Sequence, residues 1–286
     1  MTFIAPLPPA IAKRAIATDG VAPSRRRSQR RLSVGKSHPY GLMLGPVLLL
    51  IFWSWGAQSG FIDPRVLPGP WVAVTTSWQL LEEGRLQANL LISAERALDG
   101  LAFGTAAGVL AALITGLSKF GGYLLDGVVQ VKRSIPLYAI LPFFMLWFGI
   151  GESEKIIIIA VASFMPIYLQ MHTALRNIDR RYVELAESLR VSYGDFLINV
   201  VLPGALPGFF LGLRFASMAS WMALVVVEQV NATAGIGYMI NLATSYAQTD
   251  VMLVGLVVYA VLGVTSDVLI RTAQKLVLSW QPTLGA

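Results

Sequence analysis

The sequence predicts an all-α polytopic membrane protein: six transmembrane helices, with a short polar helix on the cytoplasmic side between the fourth and fifth. Three observations carry that reading. Hydrophobic residues make up 55% of the 286 positions and charged residues only 13%, where a soluble domain carries about 25% charge. Apolar runs long enough, or nearly long enough, to cross ~30 Å of hydrocarbon as helices recur along the chain. Lysine and arginine gather on alternate sides of those runs, 17 against 4, which fixes an orientation with both termini inside. The same asymmetry accounts for the net charge of +6, so the basic excess implies no nucleic-acid partner.

Residues 1–38 hold eight of the basic residues, from Lys13 to Lys36, among Pro, Ser and Ala. Such a segment has little to bury and is expected to form a disordered cytoplasmic tail. The first span, near 41–58, ends in WGAQSG without a small-x-small cleavage pattern, so it reads as retained rather than as a signal peptide. The stretch Gly60–Asn89 is then external, with Pro64, Pro68 and Pro70 favouring an extended path and Asp63, Glu82 and Glu83 forming a solvated surface. Further spans lie near 94–117, 135–150, 155–175, 205–228 and 251–270, within a domain over 39–280 that leaves a short cytoplasmic tail at 281–286. The third is interrupted by Pro136 and Pro142 and has an alternative start near Tyr123. In this arrangement Lys119, Lys132 and Arg133 fall in an inside loop, and Arg96 and Lys155 at the outer ends of spans.

Cysteine is absent, and the two histidines, His38 and His172, are too far apart in sequence to suggest a metal site. The chain has no GxxxxGK[ST] phosphate loop. No serine–histidine–aspartate or paired-carboxylate arrangement occurs at catalytic spacing, so the sequence points away from an enzyme. A secondary transporter would show inverted repeats and more buried ionisable groups, and a membrane scaffold would leave the polar segment after the fourth span unexplained.

That segment, 176–204, is the most informative. Asp179 is placed to cap a helix from Arg180, on which Tyr182, Val183, Ala186 and Leu189 form a narrow apolar face with Glu184, Glu187 and Arg190 mainly off it. Ser192 is placed to cap a second helix through Val201, which Pro203 is expected to end. Pattern alone leaves open whether this is a membrane-surface helix or a docking element.

Glu184, Ala186, Leu202 and Pro203, followed by the PxxxxGLR of Pro207–Arg214, resemble the EAA signature of the inner-membrane permeases of ABC importers. Arg133–Pro136 with Pro142 and Trp147–Gly151 resembles the third-span signature of the sulfonate, taurine and nitrate group. Glu228 with Asn231 and Gly235–Tyr238 resembles the group's segment between the last two spans. Asn177–Arg180, Pro166–Tyr168 and His172 are most similar to the aliphatic-sulfonate permeases. The resemblance implies a homodimer of this chain, two separate ATPase subunits that bind ATP and magnesium, and an extracytoplasmic substrate-binding protein. No cofactor or metal would be bound by this chain. It implies that Tyr182, Glu184, Ala186, Leu189, Arg190, Leu202 and Pro203 couple to the ATPase. One residue departs from the pattern: Arg190 stands where the signature has glycine. A left-handed arginine costs roughly 1–2 kcal/mol, so the expectation is a helix prolonged by a turn or a turn shifted to Ser192–Gly194.

Candidates for the pathway or its gates are Pro136, Pro142, Trp147, Arg214, Ser217, Trp221, Glu228 and Asn231. The prolines free carbonyls, although simple kinks explain them equally well. Met218, Ser217, Ser220 and Trp221 suit either a pathway wall or close helix packing. Arg214 is expected to pair with an acid or with carbonyls near the inner side. Glu228 is expected to bond Asn231, Thr233 or nearby backbone N–H groups near the outer end of its span, where it would shape a gate rather than bind an anion.

Overall fold

The computed structural model describes residues 41–280; the expectations for the tails 1–38 and 281–286, and for His38, lie outside them. The chain divides into two compact units, 1–49 and 50–286. Of the first, the described part is the opening of helix α1, Gly41–Gln58, which continues into the second. The elements that follow are helices α2 Pro70–Glu82, α3 Arg85–Leu117, α4 Lys119–Ser134, α5 Leu137–Phe148, α6 Glu152–Arg176, α7 Arg180–Ser188 and α8 Tyr193–Phe196. A π-helical turn, Leu197–Val201, joins α8 to α9 Leu202–Asn231, and α10 Ile236–Ser245 and α11 Thr249–Val277 complete the fold. Among the described residues four helical stretches are long and apolar enough to cross a membrane: α3, α6, the continuous Tyr193–Asn231 and α11; two shorter apolar helices, Leu44–Gln58 and Leu137–Phe148, accompany them.

Helix α6 is the axis of the larger unit, held by α3 on one side and α9 on the other. Glycines let the backbones approach. A Cβ on Gly104 would collide with the Ala160 carbonyl oxygen, and one on Gly108 would lie 2.8 Å from Ile167 Cβ. From the other side, a Cβ on Gly208 would strike Ala174 and one on Gly212 would lie 3.1 Å from Ile167 Cα. Gly100 meets Ile159 and Gly116 meets Leu175, so α3 and α6 run in the same direction. Gly208 and Gly212 meet α6 in reverse order, so α9 runs against it. These directions are those of a chain crossing back and forth. Ile158, Ile159, Ile167 and Tyr168 are buried where the three helices meet. Phe164, Tyr168 and His172, one turn apart, stack with centroids 5.8 and 5.4 Å apart.

Apart from the polar loop and the Glu228 cluster, the structure departs from the sequence expectations in four places. The external stretch is not extended throughout, because Pro70 occupies the first helical positions of α2, where its missing N–H costs nothing. Lys132 and Arg133 do not lie in a loop. They close helix α4, and the chain breaks only at Ile135, extended at φ −96° and ψ 119° before Pro136, as the residue before a proline should be. Helix α3 begins at Arg85, before the expected span, so Arg96 lies well inside the helix rather than at its end. Finally, Pro203 does not end the helix that Ser192 caps. The Leu197–Val201 turn takes the wider i→i+5 pairing, with Leu202 N–H donating to Leu197 O, and the helix runs on past Pro203 and Pro207, which donate no N–H, to Asn231. After the π turn Pro203 stands in the first turn of α9, where its missing donor is tolerated.

Candidate functional site

The polar loop after α6 is built from local capping. Asp179 Oδ1 accepts from Arg181 N–H at 3.0 Å, opening α7. Ser192 Oγ accepts from Asp195 N–H at 3.2 Å and lies 2.6 Å from Asp195 Oδ2, opening α8. Between them the chain turns at Arg190, whose φ is +54°. The arginine itself takes the left-handed conformation, so the helix is not prolonged and the turn does not move to Ser192–Gly194. The reason lies in the hydrogen bonds. Val191 N–H reaches Ala186 O at 3.0 Å and Arg190 N–H reaches Glu187 O at 3.1 Å, the pair that closes a helix C-terminus around a left-handed residue. These bonds, and exposure of the guanidinium, offset the strain that glycine would avoid. The same closure recurs at Ala247, φ +55°, after α10.

Helix α7 buries none of its side chains. Tyr182, Leu185 and Leu189 are each more than half exposed, at the i, i+3, i+7 spacing of one face. Tyr193 extends the exposed set, Glu184 lies beside the face exposed, and Ala186 turns partly inward. Leu202 and Pro203 are half-buried at the start of α9. Leu185 and Tyr193 were not among the sequence candidates; the spacing from Tyr182 would have found Leu185.

At the opposite end of the bundle, five segments meet in a buried polar cluster around Glu228, which is 1% exposed. Arg96 of α3, 4% exposed, reaches it through Nη1 at 2.8 Å. Arg96 also makes a two-pronged bridge to Glu152, Nε to Oε2 at 2.6 Å and Nη2 to Oε1 at 2.7 Å, and donates to Ala234 O at 2.6 Å. Glu228 accepts further bonds from Ser93 Oγ, Gly237 N–H and Tyr259 Oη, at 2.8, 2.8 and 3.2 Å. This arrangement caps helix α10 from outside its own segment. Gly235 N–H donates to Asn89 Oδ1 at 2.7 Å, Ile236 N–H to Ser93 Oγ at 2.8 Å and Gly237 N–H to Glu228, satisfying the free donors at the positive end of the helix. Gly235 allows it: its φ is +120°, and a Cβ there would run into the Glu228 carboxylate.

Of the partners expected for Glu228, a nearby backbone N–H is there, that of Gly237, but Asn231 is not among them. Asn231 instead donates through Nδ2 to Glu154 Oε2 at 2.8 Å, and the counter-charge comes from Arg96, 132 positions away. Beside the cluster a cavity of about 340 Å³ is lined by Glu95, Arg96, Asp99, Glu152 and Thr233 among others.

Of the remaining candidates, Ser217 and Trp221 line a cavity of about 130 Å³ with Ser220, Ser266 and Ala97. Trp221 Nε1 donates to Ser266 Oγ at 3.1 Å and Ser220 Oγ to Ala97 O at 3.0 Å. Met218 is exposed. Arg214 pairs with Asp267 at 2.8 Å, which also holds Arg271 at 2.6 Å. Pro142 and Trp147 belong to α5 and Pro136 precedes it as its N-cap; all three are outside the lining of that cavity, and Trp147 is exposed. Among the described residues no group of three or more His, Cys, Asp or Glu side chains is placed to hold a metal ion.

Comparison with known proteins places this architecture. The SsuC protein of Escherichia coli (strain K12), which carries the name of an aliphatic sulfonates transport permease, is 41% identical over 83% of this chain and 90% of its own length. Its Bacillus subtilis (strain 168) namesake is 34% identical over 85% of this chain and 89% of its own. The taurine transport system permease TauC of E. coli is 31% identical over 82% of this chain and 86% of its own. Among solved structures, an inward-facing conformation of the MetNI methionine ABC transporter covers 69% of this chain and 97% of its own, with a TM-score of 0.49 at 17% identity. The family described as binding-protein-dependent transport system inner membrane component matches residues 104–278, a span that runs from the glycine face of α3 past the capped loop to the end of α11, and the chain belongs to that family as a multi-pass permease subunit of an ABC importer.

Proposed function

We propose that this chain forms half of the translocation pathway of an ATP-driven importer of small organic anions, aliphatic sulfonates first. The observation that carries the substrate class is the 41% identity to an SsuC permease over nearly its whole length, with a second SsuC next and the taurine permease after it. The complete unit pairs two copies of this chain with two ATPase subunits and receives substrate from an extracytoplasmic binding protein. Six crossings, counting α1 and the broken α4–α5 pair, put both termini in the cytoplasm.

In this reading α7 docks into the ATPase through Tyr182, Leu185 and Leu189, with Glu184 and Arg190 at the rim, and Leu202 and Pro203 join the loop to α9. Closure of the ATPase dimer on ATP draws the two α7 helices together. Because the stretch from Tyr193 to Asn231 is one continuous helix, displacement of the loop is passed to the outer end without a flexible joint. The switch is a two-state rearrangement biased by contacts at the docking surface. Glu228 and Arg96 fix the outer frame and Arg214 with Asp267 the contact between α9 and α11, while Ser217 and Trp221 supply pathway wall.

The test is ATP hydrolysis by the reconstituted complex with its own binding protein and a panel of ligands. Stimulation by alkanesulfonates above taurine and nitrate is expected. Stimulation by nitrate with none by sulfonates would overturn the substrate assignment.

A further inference from the structure

Lys132 lies at the end of α4, and its Nζ donates to the Val161 carbonyl oxygen of α6 at 2.9 Å. The apolar run of α6 begins at Ile156, after Glu152, Glu154 and Lys155. At 1.5 Å per residue, Val161 is roughly 8 Å further along, inside the hydrocarbon zone. Among the described residues no carboxylate forms an ion pair with this lysine. A lysine in hydrocarbon costs roughly 2.5–3.5 kcal/mol, and one bond to a carbonyl, which a neutral amide or hydroxyl could also make, is a weak return for it.

Its surroundings suit an amphiphile. Lys132 lies on an open, largely apolar face of α4 with Gly127, Val128, Val131 and Ile135. Beside Val161, Ala162 O lacks its usual helical donor, because position 166 is proline. Two of the three ammonium donors remain after the bond to Val161.

We propose that Lys132 is an intramembrane binding residue for the anionic head of the transported substrate, the apolar wall of Val128, Val131 and Ile135 taking its alkyl part. The assignment rests on the reading of the protein as an importer of small organic anions and names where in the membrane such an anion rests. When the site is empty the ammonium falls back on the Val161 carbonyl; when substrate arrives the same group turns to it. The bond to Val161 thus keeps the charge satisfied between transport cycles.

The experiment is uptake of an alkanesulfonate into proteoliposomes holding the complete complex and its binding protein, with assembly checked by co-purification of the ATPase. Lys132→Gln keeps a neutral donor for Val161 and removes the charge. Its maximal uptake is expected to fall by about tenfold or more, the size of a lost charged hydrogen bond, while Lys132→Arg keeps most of it. Val128→Glu, one turn from Lys132 on the same wall, neutralises the lysine without removing it and is expected to lower uptake likewise, so the test survives a failure of Lys132→Gln to assemble. Wild-type uptake in either charge-removing variant would overturn the proposal and leave Lys132 as a clip between helices. If the wild-type complex moves a different anion, the sulfonate assignment falls and the same comparison with that anion decides the site. If it moves a neutral solute and no anion, both readings fall.

Discussion

Glu228 is intolerable in its position without Arg96. With both side chains withdrawn from water, removing Arg96 leaves Glu228 a buried charge without its partner, a loss of about 3–5 kcal/mol, whereas removing Glu228 leaves Arg96 its two-pronged bridge to Glu152 and costs less. Arg96→Ala is therefore expected to lower the thermal unfolding temperature of the purified protein markedly, and Glu228→Ala by less. The double variant should lose less than the two single losses added, because neither charge is then left alone. Arg190 has the opposite character. Its side chain is exposed and its backbone strained, so Arg190→Gly relieves roughly 1–2 kcal/mol and leaves the turn in place. Any change in transport-coupled ATP hydrolysis by that variant reports the guanidinium rather than the fold; unchanged coupling would mean that the arginine has no role in docking. The sequence marked Glu228 as a carboxylate needing a partner and foresaw a nearby backbone N–H, that of Gly237, but not the distant Ser93, Arg96 and Tyr259. Arg96 was masked by charge counting, which files a basic residue near a helix end with the loop. Its burial depends on α3 beginning nine residues before the apolar run suggests, and on α10 folding back over it.

At the scale of elements, the grip on α6 rests on glycines whose absent side chains are filled by a neighbour's backbone. Gly104→Leu would drive its side chain into Ala160 O and the Ser163 side chain, and a cost of about 1–3 kcal/mol or more is expected from overpacking. The measurement is recovery of monodisperse protein from the membrane together with its unfolding temperature. Exposed Gly127, with nothing within 4 Å of an added Cβ, supplies the control and should tolerate Gly127→Ala. The positions of α1, α3, α6, α9 and α11 were legible as apolar runs because a membrane span needs length and hydrophobicity and little else. What escaped the sequence were places where a local rule met a tertiary or ladder solution: Pro203 read as a stop and bridged by a π turn, and Pro70 read as extended chain and used to start α2. Lys132, read as a loop residue, belongs to a helix amphipathic enough to resemble a surface segment.

For the whole molecule, a polar cluster at one end and an exposed apolar face at the other are joined by continuous helices. The exposed face should be needed for assembly and not for folding. Leu185→Glu with Leu189→Glu is expected to abolish co-purification with the ATPase, a hot-spot loss of about 2 kcal/mol or more, while helix content and unfolding temperature stay those of the parent. A fall in stability as large as the fall in binding would mean that α7 packs on its own chain instead. Of this division, the half that bears α7 was legible from Asp179, Ser192 and the spacing of Tyr182 and Leu189, because capping and amphipathicity are local. The other half was not, because Asn89, Ser93, Arg96, Glu152, Glu228, Gly237 and Tyr259 are brought together only by the packing of α3, α6, α9, α10 and α11.

The helix from Tyr193 to Asn231 is pinned where Gly208 and Gly212 bear on α6, with roughly 25 Å of rod on the loop side and roughly 30 Å on the outer side. A beam on a central fulcrum with nearly equal arms neither amplifies nor attenuates. In the proposed cycle an inward push of a few ångströms at the loop would return as an outward swing of about the same size at the other end. The stroke of the ATPase and the width of the opened gate would then be tied to a single length.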